Sequence, residues 1–273
     1  KRCFSSMPRV KSLKAKKKLY EVTFVLEDGT EASRIVSEDL VVEYRLVRDK
    51  ELSPELFSRF VEDADLDSLT QKAKRFALGK FYSDKEILSY LETNGADRET
   101  QAKIFAKLRK CGLPEEGTRL DALFDLDFHA KREGPERIRF ELMARGFSSD
   151  LVRAATESVD AKEIEDNLLH LFDNKLPTLK RTSLRSAEQE MKRHLYTKGY
   201  SLQLVDEYVN GRKKDFSSLI DETEIIKKEI ALLAKKYRRQ GLTGGDLRQK
   251  LIQALERKGY GYGLIKSTIE GSE

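Results

Sequence analysis

The 273 residues hold enough chain for two ordinary domains or one array of repeats, and either can bury a substantial core. Charged residues make up 36% and aromatics 8%, with no Trp and five Pro, a balance that argues against a β-sandwich and for helices with long solvated faces. The net charge of +5 originates at the start, where Lys1, Arg2, Arg9, Lys11, Lys14, Lys16, Lys17 and Lys18 occur without an acid, and the chain after Tyr20 sums to −3.

Residues 1–18 are accordingly expected to form a basic N-terminal tail, and Met7-Pro8 resembles a natural start. The cations of this stretch would suit a transit peptide, but they come with no apolar stripe and no h-region of a secretory signal. No apolar run reaches the roughly 18 residues of a membrane span, so no membrane partner is expected. Two cysteines, Cys3 and Cys111, are too few for a disulfide framework or a metal knuckle, which fits the cytoplasm.

Leu19, Val22, Phe24, Val25 and Leu26 lead into Glu27-Asp28-Gly29-Thr30, and Ala32, Ile35 and Val36 follow. That pattern predicts a β-hairpin turning at Asp28-Gly29. Helical periodicity begins at Ser37, and Ser53-Pro54-Glu55 marks a helix start. Residues 19–65 therefore read as a hairpin plus helices.

The remainder repeats itself. Ile87-Leu91-Gly95, Ile138-Leu142-Gly146, Met191-Leu195-Gly199 and Leu251-Leu255-Gly259 share one skeleton, at intervals of 51, 53 and 60 residues. The apolar pair lies on one helical face, and the glycine ends the helix in the left-handed conformation. Arg145, Lys198 and Lys258 precede three of these glycines, where cations complement the helix dipole. Asp97, Ser148, Ser201 and Gly261 are placed to cap a following helix. Its inner face would use Ile104 with Leu108, Leu151 with Ala155, Leu204 with Tyr208, and Leu264 with Thr268.

A preceding helix, near 66–80, 120–132, 162–175 and 222–239, completes a three-helix unit in each copy. Starts for the middle helices are predicted at Ser83-Asp84-Lys85-Glu86, Gly134-Pro135-Glu136 and Ser186-Ala187-Glu188-Gln189. The expected fold is mainly α, with tandem three-helix repeats at 66–112, 118–159, 161–210 and 221–270 forming an elongated array. Flexible joints are expected around 111–118, 176–182 and 210–218, where Gly, Pro, Ser and Lys accumulate.

No phosphate loop, GxGxxG, GxSxG or HExxH occurs, so neither an enzyme nor a cofactor is expected. His129, His170 and His194 fall at unrelated places in their repeats. Asp121, Asp125, Asp127 and His129 could suggest a metal cluster, but Asp121, Asp125 and His129 share one solvated helical edge, and no metal site is assigned. Cys111, beside Gly112, is expected to be a half-buried small residue.

Gly134-Pro135-Glu136-Arg137-Ile138-Arg139-Phe140-Glu141-Leu142-Met143-Ala144-Arg145-Gly146-Phe147 resembles the signature of the RecX family, regulators of the RecA recombinase. Leu247 to Leu251 with Leu255 to Tyr260 resembles that family's closing repeat, and Ser83, Glu86, Ile87, Leu91 and Gly95 its opening one. The similarity covers about residues 66–270, and the hairpin region is similar to the longer Gram-positive members. This chain departs from the family in Gly112-Leu113-Pro114-Glu115-Glu116-Gly117 and in carrying four repeats rather than three.

The resemblance implies a protein that binds the RecA–single-stranded DNA filament and inhibits recombinase, ATPase and co-protease activities; a non-enzymatic monomer is expected. The cations that would carry partner contacts are Arg137, Arg139, Arg145, Lys192, Arg193, Arg238, Arg239, Arg248, Lys250, Arg257 and Lys258. The residues also leave open direct, non-specific contact with single-stranded DNA through 9–18 or 227–258. Two other readings stand beside this one: a DNA-binding protein of serial helix-turn-helix modules, and a helical scaffold for another partner.

Overall fold

The computed structural model describes residues 7–26 and 28–271. The expectations placed on Lys1 to Ser6, Cys3 included, and on Glu27 lie outside the described residues. The chain divides into two compact units, one of residues up to Ala122 with Ala144–Ser148, the other of Leu123–Met143 with the residues from Ser149 on.

The first unit opens with an antiparallel sheet in the order β1-β2-β3, formed by β1 (Arg9–Lys16), β2 (Leu19–Val25) and β3 (Glu31–Ser37). The hairpin at Asp28-Gly29 is present: the Asp28 carboxylate accepts from the Thr30 backbone N–H at 2.9 Å, and Gly29 holds φ +79°. The supposed basic tail is corrected, because residues 9–16 are an edge strand paired to β2. Val10 is fully buried while the lysines of β1 face outward, which keeps an open edge soluble but hides the strand pattern. Its turn, Lys17-Lys18, has Lys17 at φ +57° and no Gly or Asn to announce it.

Helices α1 (Glu38–Glu43) and α2 (Pro54–Ala77) cover the sheet, and Val22, Phe24, Val36, Leu52, Phe60 and Ala64 form the core between them. α2 passes unbroken through the boundary expected between residues 65 and 66. Its first half packs on the sheet through Phe60 and Ala64. Its second half packs through Ala73 and Ala77 on α3 (Asp84–Thr93) and α4 (Arg98–Lys110). One helix thus serves two cores, and no linker is needed.

Further along run α5 (Glu116–Asp125), continued by one π-helical turn at Leu126–Ala130, α6 (Pro135–Ala144) and α7 (Ser149–Glu157). α8 (Ala161–Lys175), α9 (Leu184–Thr197) and α10 (Leu202–Gly211) come next, then α11 (Lys213–Leu219). The last three are α12 (Glu222–Arg239), α13 (Gly244–Arg257) and α14 (Tyr262–Glu270). The architecture is mainly α with a small N-terminal sheet.

The glycine stops behave as the skeleton predicts. At Gly199, φ +96°, the Tyr200 N–H bonds to the Leu195 carbonyl at 3.4 Å and the Gly199 N–H to that of Tyr196 at 2.9 Å, which is the Schellman pattern. Asp97 and Ser201 cap the helices that follow through side-chain bonds, and Gly261 occupies the same position without one.

The inner faces of those helices need correction in three copies. Ile104 and Leu108 are buried as expected; in the other copies Val152 is buried and Leu151 exposed, Val205 and Val209 are fully buried with Leu204 and Tyr208 partly buried against the same core, and Ile265 and Ile269 are buried beside Thr268 with Leu264 partly buried. The cause is a hydrophobic staple. The aromatic just before the cap packs with the fourth helical residue, so Tyr200 and Val205 share one core cluster and Tyr260 and Ile265 another.

The start of α9 is also corrected: Ser183, not Ser186, is its N-cap. Neither expected joint at 176–182 nor that at 210–218 is a loop alone. The first holds a 3-10 turn with Leu179 buried, and the second holds most of α11, whose Phe216 is fully buried.

Candidate partner-binding surface

Consecutive copies meet through a recurring joint that explains several conspicuous residues before any partner is invoked. The Ser83 hydroxyl, at the N-cap of α3, donates to the Arg145 carbonyl at 2.7 Å, and the Ser183 hydroxyl, at the N-cap of α9, donates to the Lys258 carbonyl at 2.7 Å. In the middle pair, where Gly134 stands before α6, its N–H donates to the Lys198 carbonyl at 2.7 Å. Each acceptor is the residue just before the glycine of the following copy.

A second contact repeats with it. Glu116 accepts from the Asp84 N–H at 2.8 Å, and Glu222 accepts from the Leu184 N–H at 2.9 Å, each acid lying at the start of the following copy's first helix. In α6 the equivalent position is Pro135, which has no N–H and needs no acceptor. The glycines admit this closeness: a Cβ added at Gly199 would lie 2.2 Å from the Arg137 Cβ, and one at Gly259 2.7 Å from the Ser183 Oγ.

The joint occupies several of the cations expected to bind a partner. Arg145 grips Glu86 with Nε–Oε1 and Nη2–Oε2 distances of 3.0 Å each, also bonds to the Phe81 carbonyl, and lies over the Phe147 ring. Arg137 reaches Glu141 at 2.8 Å and the Thr197 carbonyl at 3.4 Å. Lys258 pairs with Glu229. Elsewhere Lys192 pairs with Asp206 at 2.7 Å, Arg193 with Glu190, Arg139 with Glu136, and Arg248 with Glu270 at 2.5 Å. Arg238, Arg239, Lys250 and Arg257 are exposed and form no ion pair among the described residues.

Two surface grooves combine cations with apolar side chains. On α12 a shallow groove is lined by Lys227, Ile230, Ala234, Lys235, Arg238 and Arg239, without an acid. On α6 and α7, Glu136, Arg139, Phe140, Met143, Val152 and Arg153 line another, where Phe140 is 74% exposed and Met143 46%. Sequence reading missed this second feature, although Phe140 and Met143 stand three apart on the face of α6 opposite to buried Ile138 and Leu142.

The acidic run rearranges. Asp127 is brought to Glu133 and Glu141, with ligand atoms within 4.8 Å, while Asp121, Asp125 and His129 stay exposed. Lys131 bonds to Asp127 at 2.6 Å, and Arg137 lies 2.8 Å from Glu141 and 3.7 Å from Glu133, so two cations already sit among the three carboxylates. Burial pushes the Glu133 carboxyl above its ordinary pKa, and its Oε2 has no hydrogen-bond partner. Cys111 is exposed rather than half-buried, because Leu113 folds back onto Leu108 and takes the inner place.

The first turns of α4 and α7 carry Glu99 and Asp150, held by Lys103 at 2.6 Å and Arg153 at 3.0 Å. Such acids oppose insertion of a helix N-terminus into a DNA groove. Among the described residues no helix is long and apolar enough to cross a membrane.

Comparison with known proteins places this architecture. The model of the third three-helix domain of RecX matches residues 230–269, which fall on the fourth copy here. Regulatory protein RecX of Oceanobacillus iheyensis is 24% identical over 266 residues, covering 97% of both chains. That of Streptococcus pneumoniae strain CGSP14 is 26% identical over 270 residues, covering 96% of this chain and 98% of its own. A crystal structure of regulatory protein RecX shares the fold, with a TM-score of 0.54 at 18% identity over 77% of this chain and all of its own. With the repeats, their joints and these end-to-end similarities together, the chain is similar to the RecX proteins along nearly its whole length.

Proposed function

We propose that the chain is a non-enzymatic regulator of RecA, acting as a cytoplasmic monomer that binds the RecA–single-stranded DNA filament and lowers its recombinase, ATPase and co-protease activities. The observation that carries this reading is the end-to-end similarity to proteins named regulatory protein RecX. The surface chemistry agrees with it: the α12 groove and the Phe140–Met143 groove combine apolar area with cations, which suits a protein filament better than bare phosphate. Of the candidate cations, Arg139, Arg238, Arg239, Lys250 and Arg257 are assigned to the partner, and Arg137, Arg145 and Lys258 to the joints.

The test is RecA ATPase on single-stranded DNA, titrated with the full chain from sub-stoichiometric to equimolar ratios. Hydrolysis should fall progressively as the chain is added. An unchanged rate at equimolar chain would remove the reading.

A further inference from the structure

The basic start of the chain is folded into a site that the helical repeats do not explain. Lys17 and Lys18 form the β1–β2 turn, and the fold sets that turn beside the C-terminal end of α2. The cleft between them is lined by Lys16, Lys17, Lys18, Leu19, Lys74 and Arg75, with Gln71, Leu78 and Gly79 completing it. None of these nine residues is acidic. Lys16 pairs with Glu21 at 3.0 Å, but Lys17, Lys18, Lys74 and Arg75 form no ion pair among the described residues.

Lys74 and Arg75 have a local reason to be there, since cations complement the negative end of a helix. Lys17 and Lys18 have none. A left-handed turn position favours Gly or Asn, yet a lysine occupies it, and its neighbour adds a second charge to a site already holding two. The Leu78 and Gly79 N–H groups bond to the helix-end carbonyls of Lys74 and Phe76 at 3.1 Å, and among the described residues neither Lys17 nor Lys18 bonds to a carbonyl there.

We infer that this cleft binds the backbone of single-stranded DNA, its four unpaired cations facing consecutive phosphates and Leu19 and Leu78 the sugar or an unstacked base. A duplex presents phosphates outward but keeps its bases stacked, and it would leave the leucine floor uncovered. A single strand can fill both parts. The site is built from residues of the N-terminal unit and uses none of the cations assigned to RecA, so the inference stands independently of the RecA reading.

The experiment uses the full chain and a fluorescently labelled oligothymidylate, without RecA, by anisotropy between about 50 and 200 mM salt. Lys17→Asn with Lys18→Gln keeps the left-handed turn accessible, and Lys74→Gln with Arg75→Gln keeps the helix. Lys107→Gln with Lys110→Gln, two exposed cations of α4 with no ion pair among the described residues, is the control. Each cleft pair should weaken binding at least about tenfold at the lower salt and reduce the slope of log K against log salt by about 1.4. The control pair should do neither, and an unlabelled duplex should compete less well than an unlabelled single strand.

Cleft pairs that bind no worse than the control would overturn the inference, as would a duplex competing equally. Circular dichroism and thermal unfolding of each variant separate lost contacts from lost fold, and two different cleft pairs guard against failure of either. RecA ATPase inhibition, measured on the same proteins, keeps the two readings apart. A chain that binds the strand through the cleft without inhibiting RecA would support the cleft and remove the regulator.

Discussion

Replacing Gly199 with Ala isolates what the joint between copies requires. Gly199 and Gly112 both end helices in the left-handed region, at φ +96° and +92°, but nothing lies within 4 Å of a Cβ added at Gly112. At Gly199 the same atom would meet the Arg137 Cβ at 2.2 Å and the Arg137 backbone nitrogen at 2.8 Å. The conformational cost is common to both, about 1–2 kcal/mol, less a fraction of a kcal/mol regained because alanine restricts the unfolded chain. Only Gly199→Ala adds overpacking against backbone that cannot swing away, about 1–3 kcal/mol more. Urea unfolding should therefore show Gly112→Ala destabilised by about 1 kcal/mol and Gly199→Ala by about 2–5 kcal/mol. Equal losses would refute the joint as a close-packed contact.

Other consequences follow from the same geometry. Leu142→Ala and Leu255→Ala, both nearly or fully buried, should each cost about 2–5 kcal/mol in thermal unfolding. Glu133 has its pKa raised by burial, so the folded protein holds that proton more tightly than the unfolded chain, and its contribution to stability declines as pH rises above 4.5. Glu133→Gln should consequently gain stability at pH 7 relative to pH 4, and an unchanged pH profile would contradict this. Contacts spread over several copies gain from their linkage, so Arg139→Glu with Phe140→Ala, or Arg238→Glu with Arg239→Glu, should each weaken RecA inhibition, and the four together should nearly abolish it with helicity intact. Reversal of Arg137 is a poor probe, since it would place a third carboxylate between Glu133 and Glu141.

The helices were legible because their signals are local. Ser83 and Glu86 form the capping box, Pro135 opens α6, and each glycine ends its helix where the apolar pair predicts. What failed to show depends on partners distant in sequence. β1 reads as a charged tail because only Val10 is fully buried, and its other face is lysine at an open edge. In the last two copies the centre of the inner face lies one residue beyond the expected pair, because the staple to Tyr200 or Tyr260, rather than the i, i+4 pattern alone, decides which residues turn fully inward.

Among the candidate site residues, net charge drew attention to Arg145 and Lys258 as much as to Arg238 and Arg239. Only their ion pairs with Glu86 and Glu229, 59 and 29 residues away, show that these two cations are already engaged. Nothing in the spacing of charges encodes those bonds. Phe140 was passed over for a related reason: an aromatic within a conspicuous motif reads as core until burial shows it 74% exposed.

Binding to the filament itself is the most direct trial of the account. Anisotropy of a labelled single strand, naked or coated with RecA, should be followed as the chain is added at about 50 and 200 mM salt. Phosphate contacts fade steeply over that range, whereas apolar burial at Phe140 and Met143 does not, so the RecA-coated strand should keep its affinity at the higher salt while the naked strand loses most of it. Equal affinity for coated and naked strands at about 200 mM would contradict the claim that the chain recognises the RecA filament.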